Sequence, residues 1–386
     1  DRSPSRGLGD VYKRQAILTL PLYTNYGGIL QCYALQTVLQ RMGHDVKVLS
    51  RPHVGRSYYI VYPLMVCKQI FKRYILGKKV YIFKAEHEII RKNIIRFINQ
   101  EIHQYECRIW NDKIANKFDV MIVGSDQVWR PQYSQPIEYA FLSFLGDTKI
   151  KRFSYAASFG VNSCEYTMDQ RRTCSLLLKK FCAVSVREFS AINICRNYFG
   201  VEAEQVLDPT LLLSVDDYKS LIRKENTETS KGNMLVYILD RTKEKINLAE
   251  KIARDKGLQL LWLDSPDEQN EDSGLKEHVK ISVEQWLRSF DDAEFVLTDS
   301  FHGCVFSIIF KKQFIVLGNR ERGLDRFDSL LTLLSLRNRL ICSLDEYESK
   351  VLVLDEQIDY KKVDCKLAVE RVHSLNFLQN NLANNK

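Results

Sequence analysis

Apolar and polar positions alternate in blocks along this chain. Short runs rich in Val, Ile and Leu are followed by longer stretches whose apolar residues recur at helical spacing, the pattern of βαβ units and a parallel sheet. It predicts strands at 16–22, 45–49, 119–123, 152–157 and 183–187 in a first half, and at 234–239, 259–263, 294–298 and 314–317 in a second. The polar stretch 222–233 between them has no apolar period and ends in Gly and Asn, so it reads as a linker. The expectation is an α/β protein with two Rossmann-like lobes, 16–222 and 234–345. A tail helix over 361–382, with Leu367, Val369, Val372, Leu375 and Leu378 on its apolar positions, packs back on the body.

Two segments break the alternation. Residues 1–15 show no apolar period and no helix cap, and read as a non-native leader to be set aside from the fold. Residues 55–117 interrupt the first lobe with a mostly helical, aromatic and basic insertion, too long for an ordinary crossover. Charge sharpens that picture. The chain carries +8 overall, yet residues 51–100 alone hold eleven Lys or Arg against Glu86 and Glu88. A local basic, aromatic surface suits contact with anionic lipid headgroups, or with an acceptor carried on lipid diphosphate, at the inner face of a membrane. It matches no nucleic-acid recognition motif.

Length and composition add bounds. A chain of 386 residues, 45% hydrophobic and 27% charged, exceeds what one core usually fills. Its ten cysteines include no Cys-x-x-Cys pair, which reads as reduced, buried thiols in a cytoplasmic protein without disulfide frame or metal site. The longest apolar run, 58–67, is ten residues and contains Pro63, well short of the roughly 20 needed to span a bilayer.

In open parallel sheets, ligands sit beyond the carboxyl ends of the strands, where loops present side chains and helix starts present free N–H groups. The unusual residues fall there. Asn25-Tyr26-Gly27-Gly28 leads into a helix. Gly124-Ser125-Asp126-Gln127-Val128-Trp129 follows an apolar strand, with Trp129 suited to stacking on a sugar, and Ser158-Phe159-Gly160 follows another. Arg187 ends a strand where a charge needs an anion, and Glu188 is not its expected partner, because adjacent strand residues point to opposite faces. Asp208-Pro209-Thr210 reads as a structural turn. In the second half Thr298-Asp299-Ser300-Phe301-His302-Gly303 places an imidazole at a helix start, and Gly318-Asn319-Arg320 follows the next strand. Six such loops on two sheets predict a cleft between the lobes.

Together these motifs, with Leu30-Gln31, Ala34-Leu35-Gln36 and Ser154-Tyr155-Ala156-Ala157, resemble the polysaccharide pyruvyl transferase family over about residues 16–340. The resemblance implies a fold similar to GT-B glycosyltransferases. It also implies transfer of a pyruvyl (1-carboxyethylidene) group from phosphoenolpyruvate to sugar hydroxyls of a bacterial capsular, exo- or cell-wall polysaccharide precursor, with no cofactor. The family's Arg-x-His motif maps onto Ser300-Phe301-His302, so Ser300 stands where an arginine is expected, and Arg187 matches the family's first-lobe arginine. On this reading His302 is the general acid, and Asp126 or Glu188 draws the proton from the attacking hydroxyl. Arg187, Ser300, Gly303 and Arg326 hold the donor, with Arg320 and Arg322 as further candidates. Asn25, Tyr26, Ser125, Trp129 and Ser158 line the cleft for the acceptor. Two rivals are a nucleotide-sugar glycosyltransferase of the same two-lobed shape and a non-catalytic scaffold of glycan biosynthesis.

Overall fold

The computed structural model describes residues 13–50, 67–68, 71, 75, 84–107, 109–134, 136–263, 278–318 and 324–383. Two five-stranded sheets organise them. The first runs in the order β3-β2-β1-β4-β5, with β1 Arg14–Leu18, β2 Asp45–Ser50, β3 Gln104–Glu106, β4 Val120–Val123 and β5 Lys151–Ser154. A two-stranded extension pairs β6 Ser185–Val186 with β7 Glu204–Gln205. The second sheet runs β12-β11-β10-β8-β9, with β8 Met234–Tyr237, β9 Leu260–Trp262, β10 Phe295–Thr298, β11 Gln313–Leu317 and β12 Leu340–Ile341. Every pairing is parallel. The central strands are buried along their whole length, which is why they read as continuous apolar runs instead of alternating ones.

Both sheets reverse strand order at one point, between β1 and β4 in the first and between β8 and β10 in the second. A crevice opens at such switch points. The loops that leave them are those after Leu18, Val123, Tyr237 and Thr298.

The outer face of each sheet has its own core, one around Trp129, Phe141 and Phe159, the other around Leu248, Ile252 and Tyr347. The inner faces share a single core that takes Leu30 and Tyr155 from the first lobe and Trp286 and Phe306 from the second. Tyr26 joins the lobes directly, its ring stacked on Trp286 at 5.7 Å and its hydroxyl donating to Ile281 O at 2.9 Å. The last helix, Tyr360–Leu382, returns to the first lobe. Phe377 packs on Phe153 and Tyr155, and Ser374 Oγ accepts from Leu207 N at 3.0 Å.

Several expectations change. Arg14 and Gln15, assigned to the leader, open β1. Gln15 is fully buried, and Arg14 pairs with Asp119 at 3.0 Å. Residues 1–12 lie outside the described residues. Helix Val215–Lys224 takes in the first residues of the presumed linker, because Ile222 completes its buried face with Tyr218 and Leu221. Much of the basic insertion is also outside the described residues, but its end forms helices Lys84–Ile90 and Lys92–Glu101. These bridge the lobes. Ile94, Phe97 and Ile98 face the core, Arg96 pairs with Glu225 at 2.8 Å and Glu284 at 2.9 Å, and Arg91 lies 3.8 Å over the Tyr23 ring. Two of the eleven basic residues are thus matched inside the protein. All ten cysteines are free, but only Cys32, Cys174, Cys195 and Cys304 are buried.

Candidate functional site

The two switch points face each other across the shared core. On the first lobe, Asn25 caps helix Tyr26–Arg41 by accepting from Gly28 N at 3.1 Å. The chain after β4 turns sharply through Gly124 and Asp126, both in left-handed backbone, with φ of 134° and 65°. Ser125 holds that turn down, its hydroxyl donating to Ala156 O at 2.7 Å and its N–H to Gln31 Oε1 at 3.0 Å. Asp126 is thereby pushed toward the cleft.

Arg187 is where the charges meet. Only 5% exposed, it donates through Nη1 to Asp208 Oδ2 at 2.8 Å and through Nη2 to Asp126 Oδ1 at 3.4 Å, and its Nε lies 3.9 Å from Glu188 Oε2. The expectation that Glu188 cannot reach Arg187 fails because the strand stops at Val186, so the two residues no longer alternate across a sheet. Burial disfavours the Arg187 charge, but Asp208, Asp126 and Glu188 outweigh it and raise its pKa. Burial pushes the Glu188 carboxyl up, against Arg187 and the Ser158 hydroxyl, which pull it down. Glu188 Oε1 takes three donors, Ser158 Oγ and Phe159 N at 2.9 Å and Gly160 N at 3.2 Å.

Asp208 divides its two oxygens. Oδ1 accepts from Thr210 N at 3.0 Å and Thr210 Oγ1 at 2.7 Å, while Oδ2 takes Arg187 and faces His302 Nε2 at 3.6 Å. Burial opposes the charged form, yet His302, Arg187 and Thr210 hold this carboxyl well below the usual carboxylate range.

From the second lobe, helix Phe301–Ile309 begins at Ser300, whose Oγ accepts from Gly303 N at 3.3 Å. Gly303 must lack a side chain, since a Cβ there would stand 2.2 Å from Thr298 Oγ1. Asp299 turns away, accepting from Leu239 N at 2.7 Å and Lys245 Nζ at 2.6 Å. His302 crosses to the first lobe and lies on Gly27, where a Cβ would come within 2.1 Å of its Cγ and Nδ1. Phe301 is flanked by two guanidiniums, Arg187 at 4.3 Å from the ring centroid and the partly buried Arg326 at 5.7 Å. Burial and then repulsion from Arg187 pull the Arg326 pKa down to about 10.

Four polar atoms in this cluster are inaccessible to solvent and have no hydrogen-bond partner: Arg187 Nε, Glu188 Oε2, His302 Nε2 and Arg326 Nε. Buried polar groups are rarely left so. A cavity of about 10 Å³, lined by Arg187, Asp208, Phe301 and Arg326 and closed by Leu207, Leu211 and Leu330, has room for one water. Of the four residues with orphaned atoms, Arg187 and Arg326 line the void, and their guanidiniums can receive a compact, oxygen-rich anion, with the His302 imidazole nearby across Asp208 and able to pass a proton.

The expected cleft residues separate. Trp129 is not available to a sugar: it is fully buried in the outer core, stacked on Phe141 at 5.1 Å with Nε1 donating to Ala140 O. Tyr26 is likewise spent on the lobe interface, Ser125 on its turn and Ser158 on Glu188, while Asn25 is exposed at the cleft rim. Ser300 and Gly303 are committed to each other in the helix cap. His302, Arg187, Asp126 and Arg326 come together, and Arg320 and Arg322 lie outside the described residues. Asp208, read as a mere turn, is the residue sequence reasoning missed. Its signal was a carboxylate directly after the apolar pair Val206-Leu207, masked by the turn-forming Pro209.

Residues 25–321 match the family model described as polysaccharide pyruvyl transferase. No curated protein matches the chain. Among solved structures the chain is similar to UDP-GlcNAc 2-epimerase of Methanocaldococcus jannaschii, at 13% identity over 95% of this chain and 99% of that one, with a TM-score of 0.48. It is also similar to MurG of Acinetobacter baumannii, at 11% identity over 95% and 99%, with a TM-score of 0.44.

Proposed function

The chain belongs to the polysaccharide pyruvyl transferase family, and from that premise we propose that the Arg187–His302–Arg326 cluster transfers a pyruvyl group from phosphoenolpyruvate to two hydroxyls of a glycan-precursor sugar. The observation that carries the reading is the set of orphaned polar atoms around Phe301, three of them on Arg187, His302 and Arg326. Phosphoenolpyruvate brings a carboxylate and a phosphate, and buried guanidiniums offset such charge far better than exposed ones. Arg326 supplies the positive charge that Ser300 lacks. The void is too small for this donor, so the lobes part to admit it and close over it.

The chemistry adds a proton to the methylene carbon of the enol, which becomes a methyl group, while one sugar oxygen bonds to the central carbon. The hydroxyl's proton leaves to a carboxylate, Asp126 or Glu188. The bond from the central carbon to the phosphate oxygen then breaks, and the second hydroxyl closes the ketal, its proton leaving with the departing inorganic phosphate. His302 gives the first proton.

The test is phosphate release from phosphoenolpyruvate over a panel of synthetic and lipid-linked galactosides, mannosides and N-acetylhexosamines. Release that depends on one acceptor supports the reading. Turnover of a nucleotide sugar without phosphate release supports glycosyl transfer instead, and no donor binding by calorimetry supports a non-catalytic scaffold.

The acceptor is presented at the cytoplasmic face of the membrane, held there by the basic residues of 55–100 other than Arg91 and Arg96, which are matched inside the protein. Among the described residues no helix is long and apolar enough to cross a membrane. Association with anionic liposomes that high salt abolishes supports this placement, and indifference to anionic lipid contradicts it.

A further inference from the structure

We infer that Asp208 is a positioning residue that reaches across the lobe boundary and aims His302 at the reacting carbon. The inference rests on the catalytic role proposed for His302. Asp208 lies on the first lobe, after β7, and His302 on the second, yet their facing atoms are 3.6 Å apart and both side chains are almost fully buried, at 1% and 7% exposure.

A carboxylate removed from water needs donors, and Asp208 has three of them in place, two from Thr210 and one from Arg187. Thr210 fixes the plane of the carboxylate by holding Oδ1, which leaves Oδ2 to look at both Arg187 and His302. The imidazole has no freedom on its other side, because its ring lies on Gly27. Its Nε2 has no hydrogen-bond partner. A shift of a few tenths of an ångström at Nε2 brings it within bonding range of Oδ2, which leaves Nδ1 as the nitrogen that delivers the proton.

The arrangement also explains why the contact belongs to the closed state. Asp208 and His302 sit on opposite sides of the boundary that must open for the donor, so the imidazole is aimed only when the lobes come together. Binding at Arg187 and aiming at His302 are thereby joined through one carboxylate.

The test is a double-variant cycle on phosphate release at saturating phosphoenolpyruvate and acceptor, with wild type, Asp208→Asn, His302→Ala and both together. Asp208→Asn is expected to lower kcat about 10-fold or more, yet to change it less than about 2-fold once His302 is gone, because the two act as a unit. A merely structural role gives losses that multiply independently. Independent losses, or wild-type kcat in Asp208→Asn while His302→Ala is inactive, overturn the positioning role and leave the catalytic reading standing. Wild-type kcat in His302→Ala overturns both. Should the Asn variant fail to fold, Thr210→Val replaces it in the cycle. That change removes the 2.7 Å bond that aims the carboxylate, with about a 3-fold loss expected only when His302 is present.

Discussion

Two turns of the first lobe bring an aspartate to the same arginine and then lead in opposite directions. Asp126 follows β4 and meets Arg187 at 3.4 Å, after which the chain dives to Trp129 and the outer core. Asp208 follows β7 and meets Arg187 at 2.8 Å, after which the chain passes under helix Tyr26–Arg41 and faces the second lobe. One turn anchors a lobe, and the other connects two. The same residue type beside the same partner therefore carries different consequences, decided by what lies beyond it.

That contrast can be broken in graded steps. The largest effect belongs to the connecting side: His302→Ala lowers phosphate release from phosphoenolpyruvate by about 10²- to 10⁴-fold, the usual worth of general acid–base catalysis, with thermal melting unchanged within a few degrees. On the anchoring side, Trp129→Ala removes a fully buried indole, costing about 3–5 kcal/mol in urea unfolding while the folded fraction keeps its kcat. A kcat loss matching the His302 variant would return Trp129 to the cleft and erase the distinction.

Gly27→Ala tests the connection from the other face of the imidazole. Its methyl would stand 2.1 Å from the ring, so roughly 1–3 kcal/mol of overpacking is expected together with a fall in kcat as His302 is displaced. An unchanged kcat would mean the ring need not lie where it does.

The smallest effect is on acid stability. Because the folded-state pKa of Asp208 is depressed, its contribution to stability is fully present above its unfolded pKa, about 3.9, and is lost as pH falls below it. The stability difference between wild type and Asp208→Asn, measured by urea unfolding, should shrink between about pH 4 and pH 2. A difference that stays constant there would show that Asp208 carries no such charge.

Much of this was legible in the sequence, and the exceptions share a cause. Central strands such as Val120–Val123 and Phe295–Thr298 announce themselves because burial on both faces demands continuous apolar runs. The edge strands β3 and β12 and the short β7 do not, being two or three residues long with no period to detect. Arg187 and His302 stood out as charges in apolar surroundings. Trp129 misled because sequence shows that an aromatic follows a strand, not whether the loop turns toward the cleft or the core. Asp208 was hidden for the converse reason: Pro209 explains the turn locally, and the arginine and imidazole that make it more than a turn are distant in the chain. Arg96 was likewise counted with the lipid-facing basic surface, because its partners Glu225 and Glu284 lie far along the chain, within and beyond the linker.

The central claim, that this interlobe cluster moves a pyruvyl group, is tested most directly by following the carbon itself. Phosphoenolpyruvate labelled with carbon-13 at its central carbon is incubated with the protein and the acceptor panel, and the products are read by NMR. The account predicts that the label appears as a ketal carbon bonded to two oxygens of one sugar, and that His302→Ala abolishes it. Label that remains in phosphoenolpyruvate with every acceptor, or that emerges only as free pyruvate, would contradict it.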